Sequence, residues 1–294
     1  MDRVGRTSVQ QPEISRNLVF KLRKHAGLAI ESILLSVLAI LFVFPFLWMV
    51  LTALKSPEEA LIFPPTLMPQ TWNFQSFAEV WQSGPFGTYL TNSVVIVAAI
   101  LAAQLITAVP SAYVFAKYRF TGKEFLFLLV LLTMIIPSQL TFVPLYLMMS
   151  EWQLLDSLVP LILPFVVTPF GIFLLRQQIL QIPDELFEAA KIDGAGEGRT
   201  MYHVLLPMIK PAVVTVMLLS FITHWNDYFW PLVMTNTMEL RTLPLGVANL
   251  KGLEGNSKWN VVMAGNCILA LPLLILFMLN SKRLKESIAF TGVK

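Results

Sequence analysis

Glu188, Ala189, Ala190, Asp193 and Gly194, with Leu206-Pro207 a short distance beyond, are the residues whose types and spacing point most clearly to a task. A carboxylate beside two of the smallest side chains lets another surface approach closely and offers it an ion pair. Gly194 supplies a bend that a side chain would resist. This is the chemistry of docking, not of bond making. The overlapping run Gly194-Ala195-Gly196-Glu197-Gly198-Arg199-Thr200 resembles a phosphate-binding loop but fails its pattern, because Arg199 stands where the second glycine is required. His25, His203 and His224 are scattered, and Cys267 is the single cysteine, so no metal-ligand set forms. No nucleophile–base constellation stands out either. The chain is expected to bind no cofactor of its own and to catalyse no covalent step.

The elements that carry these residues follow from composition. Hydrophobic residues make up 56% of the 294 and charged residues 13%, against about 25% charged in soluble domains. With a mean hydropathy of +0.68, the chain cannot cover a water-facing surface. A soluble enzyme, a nucleic-acid reader and a disordered tail are excluded. A helix needs about 20 apolar residues to cross the hydrocarbon core, and six stretches qualify: 27–54, 89–116, 124–149, 156–175, 209–235 and 259–280. The first is too long for a signal-peptide core and has no cleavage pattern after it, so it reads as a retained anchor. All of the 21 basic residues except Lys55, Arg241, Lys251 and Lys258 fall in the two terminal segments and the second and fourth connections. By the positive-inside rule, both termini are then cytoplasmic.

The expected class is an all-α polytopic membrane protein. A cytoplasmic arm (1–26) precedes a six-helix transmembrane domain (27–281), and a cytoplasmic tail (282–294) ends the chain. The first outer loop, rich in proline and aromatics such as Trp72 and Trp81, reads as an ordered cap. The third connection can only be a turn. No fixed-period repeat and no symmetry between the halves appears, which disfavours an inverted-repeat secondary carrier.

The fourth connection, between spans four and five, holds the docking residues. Pro183 suits the first helical position, Asp184 and Glu185 complement the helix dipole, and Asp193-Gly194 is a stop. A short helix is therefore expected, with Leu186, Ala189, Ala190 and also Phe187 on an apolar stripe. A second short amphipathic stretch shares Met201, Val204, Leu205 and Met208 on one face and is closed by Pro207. Their faces need something to pack on, either a partner or the lipid headgroup region.

Gln104, Ser138, Gln139, Asn226 and Asn266 are polar groups within the spans and candidates for the path of an uncharged solute. The competing reading is interhelical hydrogen bonding. Asp227 is expected near the outer face with only a modest desolvation cost. Pro110, Pro137, Pro144, Pro160, Pro164, Pro169, Pro231 and Pro272 mark hinges or static bends.

Glu188-Ala189-Ala190, three residues, Gly194, nine residues, then Val204-Leu205-Leu206-Pro207 resembles the EAA signature of ATP-binding-cassette (ABC) importer permeases, with Val204 in place of isoleucine. Ile182-Pro183 and Asp193-Gly194-Ala195 narrow the resemblance to the carbohydrate-uptake branch. Ser111-Ala112-Tyr113, Met134-Ile135-Ile136-Pro137, Trp225-Asn226-Asp227 and Gly292-Val293-Lys294 extend it over nearly the whole chain. The resemblance implies a type I importer permease fold in the inner membrane of a prokaryote, whose EAA loop (182–208) inserts into a separate ATPase. It implies as partners a second homologous permease, two ATPase subunits (identical or not) that hold ATP and Mg, and an extracytoplasmic solute-binding protein. The cargo implied is a sugar or oligosaccharide, and no nucleic acid is involved. A permease for a glycerol phosphodiester is the alternative within the class, and an ion-driven secondary carrier the alternative outside it.

Overall fold

The computed structural model describes the backbone of residues 12–252 and 258–291, and the side chains of Leu28, 30–252 and 258–279. Residues 1–11 of the arm, and Gly292-Val293-Lys294 of the tail, lie outside the described residues. The chain is helical throughout, with no strand among the described residues.

Helix α1 (Pro12–Ala53) is continuous through the expected arm boundary at 26/27. A cap follows, in which α2 (Gln75–Gln82) packs against the first turns of the last helix. The cap is ordered, as expected. Glu59 is buried and accepts from the Gln70 N–H at 3.0 Å and from Thr66 Oγ1 at 3.0 Å, while the Lys55 ammonium donates to the Thr66 carbonyl. Then come α3 (Phe86–Lys117), α4 (Lys123–Ile135), α5 (Ser138–Glu151), α6 (Val159–Ile162) and α7 (Pro169–Ile179). The fourth connection carries α8 (Glu185–Ile192) and α9 (Glu197–Thr200). The chain ends with α10 (Leu206–Trp225), α11 (Phe229–Met234), α12 (Leu243–Asn249) and α13 (Trp259–Thr291).

Among the described residues five helical stretches are long and apolar enough to cross a membrane, and the number rises to six when α4 and α5 count as one broken span. The expectation of a continuous third span over 124–149 is corrected: the two halves meet at 97°. Pro137 explains the position of the break, since it withholds an N–H donor and pushes Ile136 into an extended conformation (φ −74°, ψ 117°). Span four is likewise interrupted: Pro164 lies in a single 3-10 turn at Leu163–Phe165, and Pro169 opens α7, where the Thr168 hydroxyl caps the Gly171 N–H at 3.1 Å. Span five ends at Trp225 rather than 235, because Asn226-Asp227-Tyr228 turns the chain before α11.

The packing centre is α3, which lies against α7, α10 and α12. Gly246 of α12 is needed there, because a Cβ at that position would come within 2.4 Å of the Tyr89 ring. Where α3 crosses the break in span four, Gln104 Nε2 donates to the Phe165 carbonyl at 2.8 Å, and its Oε1 accepts from Ser220 of α10 at 2.6 Å. Thr107 donates to the Val166 carbonyl at 2.8 Å. These bonds satisfy backbone groups that an interrupted helix frees, which hydrocarbon would leave unpaired.

Candidate functional site

The docking residues sit on α8 and its exit. Asp184 precedes the helix, and its carbonyl accepts from the Phe187 and Glu188 N–H groups at 2.9 and 3.0 Å. Pro183 therefore stands just before the helix, not at its first position. At the other end Gly194 adopts φ +75°. The Gly194 N–H bonds the Lys191 carbonyl at 3.0 Å and the Ala195 N–H bonds the Ala190 carbonyl at 2.9 Å. This pair of bonds is the Schellman arrangement, and it satisfies carbonyls that the helix end would otherwise orphan. The expected stop at Asp193-Gly194 is present.

The rotation of α8 differs from the expected single stripe. Phe187 and Ala190 are buried, and Phe187 lies against Tyr113 of α3 with ring centroids 5.7 Å apart. Leu186, Glu188, Ala189, Asp193 and Ile192 face outward, Ile192 with 85% of its surface exposed. The two alanines are thus on different faces: Ala190 permits close packing on this chain, and Ala189 stays available to another molecule. Ile192 was not singled out in the sequence. Its position four residues after Glu188 is the signal that would have found it, since i and i+4 share a face.

The second amphipathic stretch is not a separate helix closed by Pro207. A single π-turn, Met201–Leu205, joins α9 to α10, and Pro207 lies just beyond it within the helical run, where it withholds an N–H donor. The buried face is Leu205 and Ile209, with Met201 and Leu206 packed beside them, whereas Met208 is exposed. α9, this turn and α10 thus form one unbroken helical run, 197–225.

The loop is held from α3. Lys117 Nζ donates to the Ile182 carbonyl at 2.6 Å and to Asp184 Oδ1 at 2.6 Å, and lies 4.9 Å from the Phe187 ring centroid. Asp184 is exposed, and its bond with Lys117 holds its carboxyl below the usual range. The attachment is therefore complete at neutral pH and weakens only as the pH falls through that lowered value. Tyr113 Oη donates to Glu197 Oε2 at 3.2 Å. Arg176 of α7 donates from Nε to the Phe115 carbonyl at 3.0 Å and stacks 4.0 Å over Phe127.

The candidate path residues are dispersed. Gln104 is buried and engaged at both ends of its amide. Asn226 and Asn266 each donate back to their own helix, to Ile222 at 2.8 Å and Val262 at 2.9 Å. Ser138 and Gln139 lie exposed at the 97° break, and neither side chain has a hydrogen bond among the described residues. Asp227 is not solvated, as its expected height would allow. It is half-buried beside a cavity of about 20 Å³ lined also by Ser93, His224, Trp230 and Thr242, and its carboxylate accepts from the Trp230 N–H at 3.1 Å. The cause is the turn after Trp225, which folds the residue back over α3.

An all-helical membrane domain with broken spans and an ordered helical knuckle between spans four and five defines a polytopic transport subunit. The model of the family described as "Binding-protein-dependent transport system inner membrane component" matches residues 108–285, and the chain belongs to that family. It is similar to the arabinooligosaccharides transport system permease protein AraQ of Halalkalibacterium halodurans, with 32% identity over 260 residues, 87% of this chain and 93% of the relative. It is also similar to the sn-glycerol-3-phosphate transport system permease protein UgpE of Yersinia pestis, at 31% over 254 residues, 84% of this chain and 90% of the relative. Among solved structures, a chain of a bacterial ABC transporter involved in the import of the acidic polysaccharide alginate shares the fold. Its TM-score is 0.78 at 24% identity, over 88% of this chain and 97% of that one.

Proposed function

We propose that this chain is the permease subunit of an ATP-driven importer of a sugar or oligosaccharide. In this reading it crosses the membrane six times, with α4 and α5 forming one broken crossing, and both termini and α8 lie in the cytoplasm. It works with a second homologous permease, two ATPase subunits that hold ATP and Mg, and an external solute-binding protein. The carrying observation is the exposed face of α8. A short helix held rigidly from behind presents Leu186, Ala189 and Ile192, flanked by Glu188 and Asp193, to the surroundings. Apolar side chains displayed in this way on a capped, anchored helix mark an interaction surface. Lipid headgroups are the competing occupant, and the outward pair of carboxylates, Glu188 and Asp193, disfavours an anionic membrane surface.

Ile192→Asp is therefore expected to leave the chain in the membrane while abolishing co-purification of the ATPase subunits. Buried at a protein interface, the carboxylate would go unpaired, at a cost of several kcal/mol. Retention of the ATPase at wild-type stoichiometry would overturn the docking role.

Ser138 and Gln139, exposed at the break and without side-chain hydrogen bonds among the described residues, support a solute path along the interface with the second permease. Asn226 and Asn266 spend part of their amides on their own helices, whereas these two side chains are bonded to no described residue. Neutral hydroxyl and amide groups suit a sugar better than an anionic phosphate ester, which would call for basic residues, and this favours the cargo of the arabinooligosaccharide-type relative over that of the glycerol-phosphate type. Gln139→Ala is expected to raise the apparent KM for solute uptake by about 3–10-fold, the worth of one hydrogen bond to a neutral ligand. Unchanged uptake kinetics would remove Gln139 from the path.

A further inference from the structure

In the sequence α8 lies between α7 and α10, yet its entry is also fastened by a side chain of α3, some 65 residues earlier. On its amino-terminal side it is joined to α7 by the segment 180–184, which contains no regular helix. Turn hydrogen bonds run from it back to α7 (Leu180 to Arg176, Gln181 to Gln178 and Ile182 to Ile179), and the clasp adds a second attachment, to α3. Lys117, with only 12% of its side chain exposed, holds the Ile182 carbonyl and the Asp184 carboxylate at 2.6 Å each and covers the Phe187 ring.

We propose that Lys117 is a force-transmitting positioning residue: it fastens the entry of the docking helix to the end of α3, so that displacement of α8 by the motor is delivered to span two as well as, through α9, to span five. This rests on the docking reading above. The residue type fits the role. A lysine ammonium carries three donors on a flexible stem and so can hold two oxygens at once. As a cation in the last turn of α3 it is also stabilised by the helix dipole. From α3 the movement has a rigid onward route, because Gln104 and Thr107 tie it to Phe165 and Val166 in the break of span four and to Ser220 of α10. A displacement of α3 therefore bears on the interrupted spans, where the backbone has fewest bonds of its own to resist bending.

The test uses the complete importer with its natural partner subunits in proteoliposomes. A photo-crosslinker is placed at Ile192→Cys in a Cys267→Ala background. Lys117→Met should retain crosslinking to the ATPase and hydrolyse ATP within about 2-fold of wild type, while solute uptake per ATP falls by about 10-fold or more, within the range of coupling between linked sites. Lys117→Arg, which keeps a cation able to reach both oxygens, should restore at least half of that ratio. Asp184→Asn should lower the ratio by itself and add nothing on the Lys117→Met background, as expected of two residues in one linkage. An unchanged uptake-to-hydrolysis ratio in Lys117→Met would overturn the proposal. So would loss of the crosslink in both Lys117→Met and Lys117→Arg, which would reduce Lys117 to folding the loop. If the protein with Lys117 intact gives no crosslink, it is the docking reading that fails, and the proposal falls with it.

Discussion

Gly194→Pro is expected to abolish ATP-driven uptake while leaving the protein inserted in the membrane. Gly194 ends α8 at φ +75°, and its N–H bonds the Lys191 carbonyl. Proline fixes φ near −65° and has no N–H, so it destroys both the bend and the bond, at a local cost of about 3 kcal/mol or more. The chain beyond would leave the helix in a different direction, and the exposed Ile192 and Asp193 would no longer present one face. The spans are long apolar segments whose insertion does not depend on this turn. A graded series separates backbone from bulk, because a Cβ at Gly194 would meet nothing within 4 Å. Gly194→Asn, a residue that tolerates the left-handed conformation, should transport at close to the wild-type rate. Gly194→Ala carries a conformational cost of about 1–2 kcal/mol and should be intermediate. Uptake by reconstituted protein, with immunodetection in the membrane fraction, reads the series. Wild-type uptake by Gly194→Pro would show that the turn is dispensable.

Trp225→Ala should give the largest loss of stability among single substitutions in the cluster it shares with Tyr89, Val97, Leu243 and Val261. Trp225 is 1% exposed, stacks on Phe221 with centroids 5.3 Å apart, and donates from its indole N–H to the Leu269 carbonyl at 2.9 Å. The bond reaches α13 beside the turn in which Pro272 leaves the Ile268 carbonyl without its helical donor. Truncation removes the stacking, the bond and the wedge that sets the spacing of α10 and α13. In water such a deletion costs about 3–5 kcal/mol. In a membrane the lower end, about 3 kcal/mol, is expected, because lipid is as apolar as the core and the loss is mainly of packing contacts. Thermal unfolding in detergent should show a drop of several degrees. Trp225→Phe, which keeps most of the volume, should lose only about 1 kcal/mol for the missing bond. Equal midpoints for the alanine and wild-type proteins would mean that α10 and α13 are held apart by something else.

The transmembrane architecture was readable because hydrophobic length is additive along the chain: a run of apolar residues means the same thing wherever it occurs. The Gly194 stop was readable for a similar reason, since its conformation is demanded by the residues immediately around it. The 97° angle at Pro137 was not. Proline locates a break, but the size of a bend depends on what packs around the freed backbone. The rotation of α8 was equally hidden, because Leu186, Phe187, Ala189, Ala190 and Ile192 are all apolar. Periodicity cannot tell a face meant for the chain's own core from one left for a partner.

Lys117 shows the division most clearly. The sequence alone determined that a positive charge belongs at the end of span two, since translocating it is costly, and that determination concerns one residue and its nearest solvent. Only the tertiary structure decided that this charge would grip Ile182 and Asp184, 65 and 67 residues away. Hydrophobic partition and backbone conformation are settled by short stretches of chain. A hydrogen bond or ion pair between distant segments exists only once α3, α7 and the loop have packed and brought its two ends together.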